Sequence, residues 1–83
     1  MELKDIKELI TSVIEEMIGI SLPNENTRLI DAGVDSMKMI ELVLELENRF
    51  DIEFEHEMLS YKTLRTVSSI AEYVYKRINE KIQ

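Results

Sequence analysis

An all-α fold is what this sequence of 83 residues predicts: a small four-helix bundle of three main helices and one short one, with a long loop after the first. Three observations lead there. Apolar residues recur at the three-to-four-residue spacing of amphipathic helices in three separate stretches. The one stretch with strand-like alternation has no second run to pair with, and a lone strand cannot satisfy its own backbone. Finally, 83 residues of which 45% are hydrophobic suffice for one modest core and not for two, so residues 1–83 are expected to form a single domain.

Leu3, Ile6, Leu9, Ile10, Val13, Ile14 and Met17 keep helical spacing, which predicts a first helix over residues 3–18 that buries one side and stops near Gly19. From Ile20 to Asp35 the chain carries Ser, Pro, Asn and Gly without sustained periodicity and reads as a loop, pinned by Leu22, Leu29 and Ile30. Loops beyond about 12 residues are uncommon in small domains unless they do something. A second helix follows from Ser36 to Arg49. Phe50, Ile52 and Phe54 then alternate with acids, but without a pairing partner the stretch is expected to be extended loop. His56 to Tyr61 can form one short helical turn. Thr66 is a suitable N-cap for a last helix whose stripe is Val67, Ile70, Ala71, Val74, Ile78 and Ile82. Each stripe must bury against another, which makes the bundle.

The formal net charge is −7 and there is no cysteine. Nucleic-acid binding needs clustered Lys and Arg to displace counterions, so the balance of charge has the wrong sign for it. The acids are unevenly placed. Residues 36–57 hold seven acids against Lys38 and Arg49, while residues 58–83 hold five bases against two acids, so the negative field gathers around the second helix. Such a field can steer encounter with basic partner surfaces, or simply keep a protein in solution. The start, Met1-Glu2-Leu3-Lys4-Asp5, is charged and unlike a signal peptide, and no apolar run approaches a membrane span. The absence of cysteine suits a reducing compartment. These features together lead us to expect a cytoplasmic monomer without membrane insertion.

Ser36 stands where the Gly-containing loop Asp31-Ala32-Gly33-Val34-Asp35 turns into the second helix. Backbone N–H groups at a helix start lack intrahelical partners and the helix dipole adds partial positive charge, so an anionic group such as a phosphodiester on that hydroxyl would be well placed. On position alone, however, capping chemistry at Asp35-Ser36 is the favoured explanation, since both residue types are common at helix starts. The helix that follows carries more apolar surface than one buried face needs. Met39, Leu42, Val43, Leu46 and Phe50 fall in one sector and make a core face, while Met37, Ile40 and Leu44 form an adjoining strip beside Ser36, bordered by Glu41, Glu47 and Asn48. Either this helix is more central than its neighbours or the strip is a docking surface.

The run Asp31-x-Gly33-x-Asp35-Ser36-Met37, the acidic apolar helix Ile40–Glu47, the segment Phe50-Asp51-Ile52-Glu53-Phe54, and Thr66-Val67 followed by Ile70, Tyr73 and Val74 together resemble the acyl carrier protein family. The resemblance spans nearly the whole chain and is densest from Arg28 to Val74. It implies that Ser36 carries a phosphopantetheine arm, derived from coenzyme A, whose thiol holds acyl groups as thioesters. It also implies that Asp35 contacts the phosphopantetheinyl transferase, and that Met37, Ile40, Glu41, Leu44 and Glu47 contact loading and processing enzymes of fatty-acid, polyketide or related biosynthesis. Many fatty-acid carriers have Leu after the serine, an acid next, and acids at the end of this helix. This chain has Met37, Lys38, Asn48 and Arg49 there, a departure from the fatty-acid pattern. Within the class, the alternative is an aminoacyl or peptidyl carrier of a nonribosomal-peptide-type pathway. Outside it, the alternative is an unmodified acidic helical interaction module in which Ser36 is only a cap.

Intrinsic catalysis is not expected. A serine nucleophile needs a base and an orienting acid, yet His56 is the only histidine, sits in a charged stretch, and the serine lacks the following glycine of a nucleophile elbow. Asp31, Asp35 and Glu41 do not match a calcium-loop spacing, and no glycine-rich phosphate-binding motif is present, so no metal site is expected.

Overall fold

The computed structural model describes residues 1–60 and 62–82. Among these the chain folds into three α-helices, α1 (Leu3–Ile18), α2 (Ser36–Phe50) and α3 (Val67–Ile82), and a single 3-10 turn at His56–Met58. The expected fourth helix is therefore only this three-residue turn. Tyr61, the end assigned to it, lies outside the described residues, as does the side chain of Ile82.

Helix α1 buries Ile6, Ile10, Val13 and Ile14 and packs most extensively on α3 and also on α2, which makes α1 the central helix. It ends at Gly19, whose left-handed backbone (φ 76°) lets its N–H reach the Glu15 carbonyl at 2.8 Å. Helix α2 runs one residue past the expected end. It closes at Asp51, left-handed at φ 53°, a conformation that aspartate tolerates better than most residues. Helix α3 starts as its sequence suggests. Thr66 Oγ1 accepts from the Ser69 N–H, and Ser69 Oγ accepts in return from the Thr66 N–H, each at 3.1 Å, satisfying two donors that a helix start would otherwise leave open.

The long loop is anchored differently from expectation. Leu29 is fully buried and Val34 nearly so, Leu22 packs against the core from a half-buried position, and Ile30 is 56% exposed. The reason is a local reversal. The Leu29 N–H bonds to the Arg65 carbonyl at 2.9 Å, and the Val34 N–H returns to the Leu29 carbonyl at 3.0 Å, so residues 30–33 loop outward and carry Ile30 with them. Gly33 makes the reversal possible, because its φ of 103° strains any side-chain-bearing residue.

After α2 the chain is extended, without strand pairing among the described residues, and turns Ile52 and Phe54 into the core. Three contacts hold this stretch. Glu47 Oε2 accepts from the Phe54 N–H at 2.8 Å, the Tyr73 hydroxyl accepts from the Glu55 N–H at 3.0 Å, and the rings of Phe54 and Tyr73 meet at 5.0 Å between centroids. An ion pair from Arg77 to Glu55 at 3.2 Å fastens the same segment to α3.

Candidate functional site

The site begins with the loop reversal. By returning Val34 to Leu29 it delivers Asp35 and Ser36 to the first turn of α2, and the two residues then divide the work. Asp35 is the N-cap: its backbone is extended and its Oδ1 accepts from the Lys38 N–H at 2.9 Å. Ser36 is the first helical residue, exposed, and its hydroxyl takes no part in the capping. The cap bond is thus made by Asp35, and the serine hydroxyl makes no hydrogen bond among the described residues. Helix α2 has no acid in its first turn, so the Asp35 carboxylate at the N-cap is the charge set against its positive end.

The two faces of α2 divide as the periodicity indicates. Leu42, Val43 and Leu46 are buried, with Met39 and Phe50 packed against the core from half-buried positions. Met37, Ile40 and Leu44 are 74%, 62% and 61% exposed. Because α1 is the central helix, centrality does not account for the additional apolar strip of α2.

Beside the strip lies a cavity of about 470 Å³. Ser36, Asp35, Ile40, Leu44 and Glu47 line its α2 side. The opposite wall comes from Leu59, Ser60, Leu64 and Arg65, with Ile30 above it from the outward loop. Five of the seven site residues picked from the sequence therefore share one feature. The other two do not: Met37 projects outside the cavity, and Glu41 lies over a shallow groove between α2 and α1 with Glu16, Met17 and Arg49. Glu47, expected at a free acidic rim, is half-buried and holds the Phe54 N–H, so it also supports the chain beyond α2. His56 is exposed and outside the cavity.

The second wall was not identified from the sequence. Leu59 is 44% exposed in a polar stretch, and such an unpartnered apolar residue was the available signal. Arg65 had none, because its place depends on a backbone bond to Leu29, 36 residues earlier.

The chain matches the family described as "Phosphopantetheine attachment site" from Glu8 to Val74. It is similar to the acyl carrier protein of Amoebophilus asiaticus (strain 5a2), with 28% identity over 95% of this chain and 100% of the relative. It is also similar to the crystal structure of an acyl carrier protein from Thermotoga maritima, solved at 2.00 Å resolution, with a TM-score of 0.79 and 28% identity covering 98% of this chain and 95% of that one. No helix among the described residues is long and apolar enough to cross a membrane. The match runs through most of the chain's length: the chain belongs to the phosphopantetheine-attachment family of carrier proteins, whose cofactor is covalently attached phosphopantetheine and whose members carry substrates rather than transform them.

Proposed function

We propose that Ser36 is the attachment residue and that the protein is a discrete acyl carrier, holding acyl thioesters and delivering them to enzymes of fatty-acid, polyketide or related biosynthesis. The observation that carries this reading is the exposed Ser36 hydroxyl, excluded from capping by Asp35 and opening onto an apolar cavity. The residues present fit the group. The serine supplies an oxygen that can be esterified without disturbing any contact, the open N–H groups of the first turn favour a phosphodiester, and the cavity offers apolar cover beside it. When bound, phosphopantetheine supplies a thiol able to hold acyl groups as thioesters.

The chain's own residues hold and present. Asp35 keeps the helix start rigid and offers the rest of its carboxylate to the transferase. Met37, Ile40 and Leu44 present apolar surface to partner enzymes, with Glu41 and Glu47 as charges at its borders; Glu47 does this with one oxygen committed to Phe54. Lys38 and Arg49 dilute the acidic field, and Arg49 is paired with Glu45 at 2.7 Å.

The test is intact mass after incubation with a phosphopantetheinyl transferase and coenzyme A. Mass should rise by one phosphopantetheine unit, and Ser36→Ala should stay unmodified with its helicity intact. Alanine is at least as good as serine inside a helix, and the cap is elsewhere, so the stability change should lie within about 0.5 kcal/mol. An arm found on Ser36→Ala would refute the assignment. No gain on the unaltered protein would favour the unmodified interaction module.

A further inference from the structure

Arg65 stands apart from the other arginines. Arg28 pairs with Asp31 at 3.6 Å, Arg49 with Glu45 at 2.7 Å, and Arg77 with Glu55 and Glu80 at 3.2 and 3.3 Å. Arg65 makes no ion pair and no side-chain hydrogen bond among the described residues, although the chain carries 17 acids. It is also the one cation among the described residues that line the cavity beside Ser36.

Its position is held firmly. Leu64 before it is buried, Thr66 after it caps α3, and the Arg65 carbonyl accepts from the Leu29 N–H at 2.9 Å. The Leu29 carbonyl accepts in turn from the Val34 N–H at 3.0 Å, and Ser36 follows two residues later. Two backbone hydrogen bonds thus tie Arg65 to the stretch that delivers Ser36, and both residues line the same cavity. The carboxylates lining the same cavity each hold a backbone N–H with one oxygen, Asp35 that of Lys38 and Glu47 that of Phe54, and neither pairs with Arg65.

We propose that Arg65 is the counterion of the phosphodiester on Ser36: its guanidinium reaches across the mouth of the cavity and holds the phosphate oxygens, fixing where the arm leaves the protein. A planar guanidinium binds phosphate oxygens with two parallel N–H donors, which an ammonium cannot do. The pairing places a positive charge where esterification adds a negative one to an already acidic surface. It rests on the reading of Ser36 as the attachment residue.

Nuclear magnetic resonance of the protein before and after loading tests this, with intact mass confirming the loading. The Arg65 Nε–H should shift on loading, and its exchange with water should slow roughly fivefold, the scale of an exposed charge-assisted pair. The phosphorus resonance of the loaded protein should move in Arg65→Gln, move less in Arg65→Lys, and stay in place in Arg28→Gln. An Arg65 Nε–H indifferent to loading, or a phosphorus resonance unchanged by Arg65→Gln, overturns the pairing and leaves the attachment reading standing. Failure of the unaltered protein to gain mass overturns both.

Discussion

Leu44 and Leu46 are two residues apart on the same helix, yet the structure assigns them opposite consequences. Leu46 is fully buried in the core and Leu44 is 61% exposed on the cavity side. Truncating a fully buried leucine removes its transfer free energy and leaves a cavity, so Leu46→Ala should cost about 2–5 kcal/mol. For a domain of this size, a loss of about 3 kcal/mol lowers Tm by roughly 12–24 °C. Leu44→Ala removes surface that is largely in water already and puts a better helix former in its place, so its cost should stay within about 0.5 kcal/mol. Function should show the reverse. If the strip docks partners, Leu44→Ala should slow modification by the transferase, measured as the initial rate of mass gain at subsaturating protein. Leu46→Ala, at a temperature where it is still folded, should be modified at nearly the normal rate. Urea titrations followed by circular dichroism supply the stability arm. Equal destabilisation of the two variants, or a Leu44→Ala protein modified as fast as the unaltered one, would refute the division of the helix faces.

Three further outcomes follow from particular contacts. Asp35→Ala should cost about 0.5–2 kcal/mol by removing the acceptor for the Lys38 N–H, and Asp35→Asn should recover most of it; thermal melts would show a full loss in both if something other than capping were at stake. Charge reversal should separate the two acids of α2: Glu47→Lys strands the Phe54 N–H and should cost about 1–3 kcal/mol, while Glu41→Lys should change stability by less than about 0.5 kcal/mol. Glu41→Lys should instead slow association with a partner enzyme, and stopped-flow rates for the unaltered protein should fall as salt rises; a rate indifferent to both would mean that apolar contacts alone select the partner.

The helices were legible in the sequence because their information is local. Apolar spacing placed α1 within its observed bounds, Thr66 marked the start of α3, and the sector of Met39, Leu42, Val43, Leu46 and Phe50 named the side of α2 that packs inward. The exposed strip of Met37, Ile40 and Leu44 was legible for the same reason, since an over-wide apolar arc shows in the heptad positions themselves. The short helical turn expected from His56 is a 3-10 turn of three residues, His56–Met58, because so short a run has too few residues to form more than one hydrogen-bonded turn. What tertiary structure decided was every feature that joins distant segments. Leu29 and not Ile30 faces the core because a backbone bond reaches from residue 29 to residue 65, and adjacent residues in such a reversal point opposite ways. Glu47 belongs to the chain beyond α2 because Phe54 folds back onto it. Asp35, rather than Ser36, became the cap through the backbone angle at which the loop enters the helix. The wall of Leu59, Leu64 and Arg65 faces Ser36 only after the three helices have closed, since a cavity exists between surfaces and has no pattern in either stretch of sequence taken alone.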